Sequence, residues 1–339
     1  MLKRLLSGNR EKMLSKLRRL FMRGSLRWYV NLAIFSSFVI LLCYGIADVF
    51  ICWPFYFGNS KPRFVCMNFK DRLANQMFQY AFAYSIAKEY DRELIVPDDT
   101  LLLKHFDIEP NVWELFDYNS HSCRCFTQKE DNLHCGYDEN NVNISQHKNV
   151  AYEGYFQSWK YWRKYEKDIR IIFTFKYDIR KSAEKIFKDM VSSKGISQGD
   201  GTVFVGVHVR YWEEYYNSII GKNQAPKSYL QHAVKYFRAK FNKVLFVVAS
   251  NSIPVAREML DNAPDAYFLE GNSPSVDMAV LTKTNHTIMT VGSFGWFIGW
   301  LTGGTTVYYK YPDAPGTKYA RQFHPGKLDH FYPGWIGME

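Results

Sequence analysis

The sequence predicts an α/β protein built on parallel sheets, preceded by one membrane-spanning helix. Three observations predict it. Continuous β-branched runs such as "TVFVGVHVR" (202–210) and "KVLFVVASN" (243–251) alternate with amphipathic stretches at helical spacing, the pattern of strands covered on both faces by helices. An uncharged segment, "YVNLAIFSSFVILLCYGIA" (29–47), is close to the roughly 20 apolar residues that cross a bilayer as a helix. The flank before it is strongly basic.

Taken in chain order, residues 1–28 carry nine Lys/Arg against Glu11 alone and supply +8 of the formal net charge of +10. The rest of the chain is close to neutral, so its charge balance gives no footprint for a nucleic-acid partner. Trp28 and Tyr29 on one side of the apolar segment, and Trp53, Phe55 and Tyr56 on the other, suit the two membrane interfaces. The positive-inside rule then places the N-terminus in the cytosol. The basic region is too long for a cleaved signal peptide, and no small-x-small site follows the apolar run. A mitochondrial presequence would rarely precede a full span. The expectation is a single-pass type II protein: a cytosolic tail over 1–28, a signal anchor and its flank over 29–57, and a body in the lumen of the secretory pathway.

Cys66, Cys123, Cys125 and Cys135 form an even set that an oxidising lumen could pair in three ways. The cluster Cys123, Cys125, Cys135 with His121 and His134 could instead bind a metal, but its spacing fits no common zinc pattern. Acceptor sequons for N-glycosylation stand at Asn143 and Asn285. The first is in a polar loop, the second at an expected helix–strand junction.

The chain's 339 residues leave room for about two domains at ~150 residues each. The stretch "SSKGISQGDG" (192–201) is the best linker, so the body divides into 58–195 and 196–339. In the first half, "RFVCMNF" (63–69) and "ELIVP" (93–97) read as strands around an amphipathic run at 77–90. Residues 99–106 suit a short helix, and ~110 to ~150 an irregular insertion. In the second half, strands at 202–210, 243–251, "AYFLEG" and "TIMTVGS" alternate with helices at 226–241, 254–261 and 275–284. A short helix from ~294, ended by Gly303 and Gly304, precedes a last strand, "TTVYYK".

Ligands of such sheets bind outside the carboxyl ends of the strands. Here those ends carry His208 and Arg210, Ser250 and Asn251, Gly271 to Ser273, and Ser293, Phe294 and Gly295. His208 and Arg210 project to one face of their strand. An arginine fork beside a helix N-terminus suits a diphosphate, and an ion pair of Arg210 with Glu213 or Glu214 is the plainer reading. No Walker loop, no G-x-G-x-x-G after a strand and no strict D-x-D occurs. A metal-free nucleotide-sugar site remains.

Four stretches resemble glycosyltransferase family 11, the galactoside α-1,2-fucosyltransferases: "RLANQMFQYA" (72–81), "GYFQSWKY" (154–161), "HVRYWE" (208–213) and "DMAVLTKTNHTIMTVGSFGWFIGWLTGG" (277–304). The resemblance covers roughly 62–339. It implies a GT-B-like arrangement, two Rossmann-like halves facing a cleft, with GDP-fucose held by the C-terminal half. The implied reaction is inverting transfer of L-fucose from GDP-β-L-fucose to the 2-hydroxyl of a terminal galactose of a glycan, without a metal or other cofactor.

On that resemblance Arg210 contacts the diphosphate and His208 supports it. Ser250, Asp277, Ser293, Phe294 and Gly295 complete the donor pocket, and Asn75 and Gln76 reach it from the N-terminal half. Asn75 is a candidate catalytic residue with Arg210 and Glu213. Trp159 is a candidate for stacking on the acceptor, although aromatics spaced like Trp159 and Trp162 more often belong to a core.

The chain departs from the family's pattern in four places. Tyr211 stands where a second arginine is usual, Glu213 for an aspartate, Asp71 for a glycine, and Asn251 for a frequent acidic residue. Glu213, then Glu214, is the candidate base for the acceptor hydroxyl. The alternative reading is a weakened member of the family that binds a glycan or nucleotide sugar without turning it over.

Overall fold

The computed structural model describes residues 34–37, 63–109, 122–197, 199–212 and 219–339. The chain divides into two compact units, Met1–Asn59 and Ser60–Glu339. In the first, residues 34–37 are helical and exposed. The expected span at 29–57 lies otherwise outside the described residues, and among those no helix is long and apolar enough to cross a membrane.

The second unit is α/β with two parallel sheets. The first half runs β1 (Phe64–Asn68), α1 (Leu73–Glu89), β2 (Glu93–Ile95), α2 (Leu101–His105), β3 (Thr127–Glu130), α3 (Glu139–Val142) and β4 (Val150–Glu153). These four strands form a sheet in the order β2-β1-β4-β3. Two helices, α4 (Glu166–Ile172) and α5 (Tyr177–Ser193), lead to the second half. It runs β5 (Val203–Val209), α6 (Lys227–Lys240), β6 (Val244–Ser250), α7 (Ile253–Met259), β7 (Ala266–Phe268), α8 (Pro274–Leu281), β8 (His286–Met289), α9 (Ser293–Thr302), β9 (Thr306–Tyr309) and β10 (Ile336–Met338). Its six strands order as β10-β9-β8-β5-β6-β7. Register places Val209 beside Ser250 and His208 beside Met289, so the predicted site residues end their strands level with one another.

α1 begins at Leu73, earlier than the periodicity predicts, because a sharp turn precedes it. Asp71 adopts a left-handed φ of 65°, which Asp tolerates better than most residues, and its carboxylate accepts the Tyr155 hydroxyl. The helix is buried on nearly every side, because it lies between the first sheet and α9. Phe78 of α1 sits 4.8 Å and 4.6 Å, ring to ring, from Trp296 and Phe297 of α9. Trp162 adds edge contacts to Trp296 at 5.8 Å and Trp300 at 4.9 Å. One core therefore serves both sheets, and truncating one such buried aromatic typically costs about 3–5 kcal/mol.

The tail of the chain returns to the first half. The carbonyls of Leu328 and Asp329 accept from Trp159 Nε1 at 3.0 Å and Ser158 Oγ at 2.7 Å, and Asp329 Oδ2 accepts the Tyr137 N–H at 3.1 Å. A disulfide, Cys66–Cys123, ties β1 to the segment before β3. Cys125 is also disulfide-bonded, while Cys135 is free and buried. The even set of four expected from the sequence is therefore broken by Cys135, whose thiol pKa is raised chiefly by burial.

Candidate functional site

The carboxyl edge of the six-stranded sheet is organised around Arg210, Tyr211 and Trp212, which follow β5 without belonging to it. Three side chains satisfy their backbone. Thr290 Oγ1 accepts the Arg210 N–H at 2.8 Å. Gln224 accepts the Trp212 N–H at 2.8 Å and donates to the Arg210 carbonyl at 2.9 Å. Asn251 does the same for Tyr211, accepting its N–H at 2.8 Å and donating to its carbonyl at 3.0 Å. An irregular segment at a sheet edge needs such partners, and here they hold the three residues as rigidly as a strand would.

Arg210 is thereby aimed at α9. Its guanidinium stacks 4.4 Å from the Trp212 ring centroid. Both side chains line Gly292, the N-cap of α9: a Cβ placed there would meet Trp212 at 3.7 Å and Arg210 at 4.0 Å. No side chain caps α9, and the Arg210 stem lies beside its first turn. A helix N-terminus beside an arginine is an anion site by its own electrostatics.

His208 lies beneath it, 5% exposed, against the Phe294 ring at 4.9 Å. Burial first, and Arg210 second, push its pKa down to about 3, so it is a neutral imidazole. Its Nδ1 has no hydrogen-bond partner among the described residues. A Cβ on Gly295 would come within 2.9 Å of that atom, which is why α9 needs glycine there. His208 therefore shapes the site and adds no charge to it.

The N-terminal half contributes Asn75. Its Oδ1 accepts from Ser293 Oγ at 2.7 Å and from Gln157 Nε2 at 2.8 Å. With the oxygen taken twice, the amide NH₂ is what Asn75 offers onward. Gln157 lies within "GYFQSW", and nothing in that stretch signals its role until α1 is seen beside it. Asp277, in the first turns of α8, receives a hydrogen bond from Asn272 at 3.0 Å, and burial pushes its pKa up to about 6.

Other predicted residues have different work. Gln76 is buried, and its Oε1 accepts from Thr100 Oγ1 at 2.8 Å and from the Leu101 N–H at 2.9 Å. It anchors the start of α2 and does not face an acceptor. Trp159 is 6% exposed with its indole N–H on the Leu328 carbonyl, so no ring face is open for a sugar. Ser250 uses its hydroxyl to form the turn before α7, accepting from Ser252 N–H at 2.9 Å and donating to the Ser252 carbonyl at 3.0 Å. Glu213 and Glu214 lie outside the described residues. Asn143 is exposed at the end of α3. Asn285 is exposed as well, and its Oδ1 accepts the Phe204 N–H at 2.9 Å. Among the described residues no group of three His, Cys, Asp or Glu is placed to hold a metal ion.

The model of Glycosyl transferase family 11 matches residues 43–339. A galactoside alpha-(1,2)-fucosyltransferase 2 of Gorilla gorilla gorilla is 32% identical over 279 residues, covering 79% of this chain and 77% of that protein. The protein of the same description from Hylobates lar is 31% identical over 294 residues, covering 83% and 81%. Among solved structures, fucosyltransferase NodZ from Bradyrhizobium aligns with a TM-score of 0.49 at 14% identity, covering 76% of this chain and 97% of that one.

Proposed function

The chain belongs to glycosyltransferase family 11, and from that premise we propose that it transfers L-fucose from GDP-β-L-fucose to the 2-hydroxyl of a terminal β-galactoside. It is a glycosyltransferase. One observation carries the finer reading: Arg210, the uncapped N-terminus of α9 and Asn75 converge on one edge, with Asn75 bonded across to Ser293. We read the two sheets as the halves of a GT-B-like fold, with GDP-fucose on the six-stranded side.

In the reaction the 2-hydroxyl oxygen attacks the anomeric carbon of fucose from the face opposite the phosphate. The bond from that carbon to the β-phosphate oxygen breaks, and configuration inverts. The oxygen takes its electron pair and negative charge with GDP, where Arg210 and the α9 N–H groups stabilise it. The hydroxyl proton passes to a base, for which Glu213 is the candidate. With Arg210 and the α9 N–H groups to offset the charge on the leaving GDP, we infer transfer without a metal. The basic tail, the apolar segment after it and the Cys66–Cys123 disulfide fit a Golgi type II protein with its enzymatic part in the lumen.

Incubating the full-length protein with labelled GDP-fucose, EDTA and a panel of β-galactosides tests the reading. The expected product is sensitive to an α-1,2-specific fucosidase. GDP binding without transfer to any galactoside would favour the binding-only alternative. Glu213→Gln should lower kcat more than donor affinity, and an unchanged kcat would remove Glu213 as the base.

A further inference from the structure

We propose that Lys222 is a second diphosphate-binding cation of this site, partnering Arg210 in place of the arginine that Tyr211 displaces. The inference rests on the nucleotide-sugar reading above. Tyr211 is 40% exposed and carries no charge to bring to an anion. Lys222, after the segment that follows Trp212, returns to the same indole: its Nζ lies 4.7 Å from the Trp212 ring centroid, against 4.4 Å for the Arg210 guanidinium. The two cations thus share one aromatic platform beside the α9 N-terminus.

The approach is built. Lys222 forms an antiparallel bridge with Asp313. The Asn223 N–H donates to Pro312 O at 2.9 Å, and the Ala314 N–H to Gly221 O at 2.9 Å. The Asn223 side chain adds bonds to the carbonyls of Tyr311 and Asp313 at 3.1 Å and 2.8 Å. The next residue, Gln224, is the one that clamps Arg210 and Trp212. Backbone and side chains therefore fix the distance between the lysine and the arginine from both sides, which a solvated surface lysine would not require.

The charges point the same way. Burial and the nearby Arg210 hold the Lys222 pKa below its usual value. Cys135 and the Asp71 carboxylate act in the opposite direction. The Lys222 Nζ also lies 5.1 Å from the Tyr319 ring centroid. Like charges near one ring repel each other, and a diphosphate bound by both would turn that repulsion into attraction.

The test compares binding of GDP and of guanosine by calorimetry on the full-length protein and its variants. Lys222→Met should weaken GDP about tenfold, equivalent to ~1.4 kcal/mol, and leave guanosine unchanged. Lys222→Arg should restore most of the loss. In turnover, Lys222→Met should raise the KM for GDP-fucose and leave that for the acceptor alone. Wild-type GDP affinity in Lys222→Met, or equal losses for GDP and guanosine, would overturn the proposal. If Arg210→Ala loses GDP while Lys222→Met does not, only the Lys222 inference falls. If the wild type binds no GDP, the nucleotide-sugar reading falls and takes the inference with it. Should Lys222→Met melt early, Lys222→Gln at matched thermal stability carries the same comparison.

Discussion

At the carboxyl edge of the four-stranded sheet, buried Asp131 accepts the N–H groups of Leu133, Tyr155 and Phe156 at 3.2, 3.3 and 2.8 Å. Gln79 bridges the Lys70 N–H and the Gly154 carbonyl at 3.1 and 2.9 Å. At the corresponding edge of the six-stranded sheet, Asn251, Gln224 and Thr290 satisfy the backbone in the same manner. The second edge then adds two cations over one indole, beside the N-terminus of α9. Satisfying a loop's backbone makes an edge rigid. Cations gathered beside a helix N-terminus make it suited to an anion.

The contrast can be broken at several points. The largest expected effect is at the core the edges share. Trp296→Ala should lose about 3–5 kcal/mol and melt as one transition, whereas two separated transitions would mean that the sheets fold independently. Next, Arg210→Ala should lower kcat/KM by about 10²–10³, the loss typical of an oxyanion-stabilising donor, with an unchanged melting temperature. Asp131→Asn, at the closed edge, should do the reverse: lower the melting temperature and leave GDP affinity alone. Asn251→Asp sets a carboxylate oxygen against the Tyr211 carbonyl. It should cost about 1–3 kcal/mol, read as a raised KM for GDP-fucose, and a wild-type KM would show that the clamp does not position Arg210.

The smallest effect is a pH dependence. Asp277 has a folded pKa pushed up to about 6 by burial, above an unfolded value of about 3.9. Between these the folded state holds a proton that the unfolded state has released, so its contribution to stability falls as pH rises through the window. Asp277→Asn should therefore be more stable than wild type above pH ~6 and equal to it near pH ~4 in urea melts. His208 works the other way. Its folded pKa of about 3 lies below the unfolded ~6.5, so stability is lost as pH falls between them. The wild-type profile across pH ~4 to ~6 is a compensation of the two, and the Asp277 variant uncovers the histidine's slope.

The central strands were legible because burial on both faces leaves a continuous apolar run, and they placed Arg210 and Ser293 at their edge; Asn75 came from the family resemblance alone. Two of the four outermost strands were not legible. β3 is "TQKE" and mostly exposed, and β10 is three residues long, so neither carries a period that local sequence could show. Gln76 and Trp159 were misread for a related cause: whether a polar or aromatic side chain faces a ligand or the interior is decided by elements distant in sequence. Asp71, by contrast, is a departure that the structure explains. The position demands a left-handed φ, for which glycine is the usual solution and aspartate a tolerated one. Asn251 is explained as well, since its amide serves both the N–H and the carbonyl of Tyr211, which a carboxylate cannot do.

The returning tail has a consequence for the order in which the molecule can be made. Ser158 and Tyr137 find their partners in Asp329, 171 and 192 residues later. A nascent chain will therefore present a first half that lacks its lid while the second is still being synthesised, rather than completing one half before the next as independent domains do. Its maturation waits on residues 324–335, and a chain cut short within them would leave Tyr137, Ser158 and Trp159 without these partners.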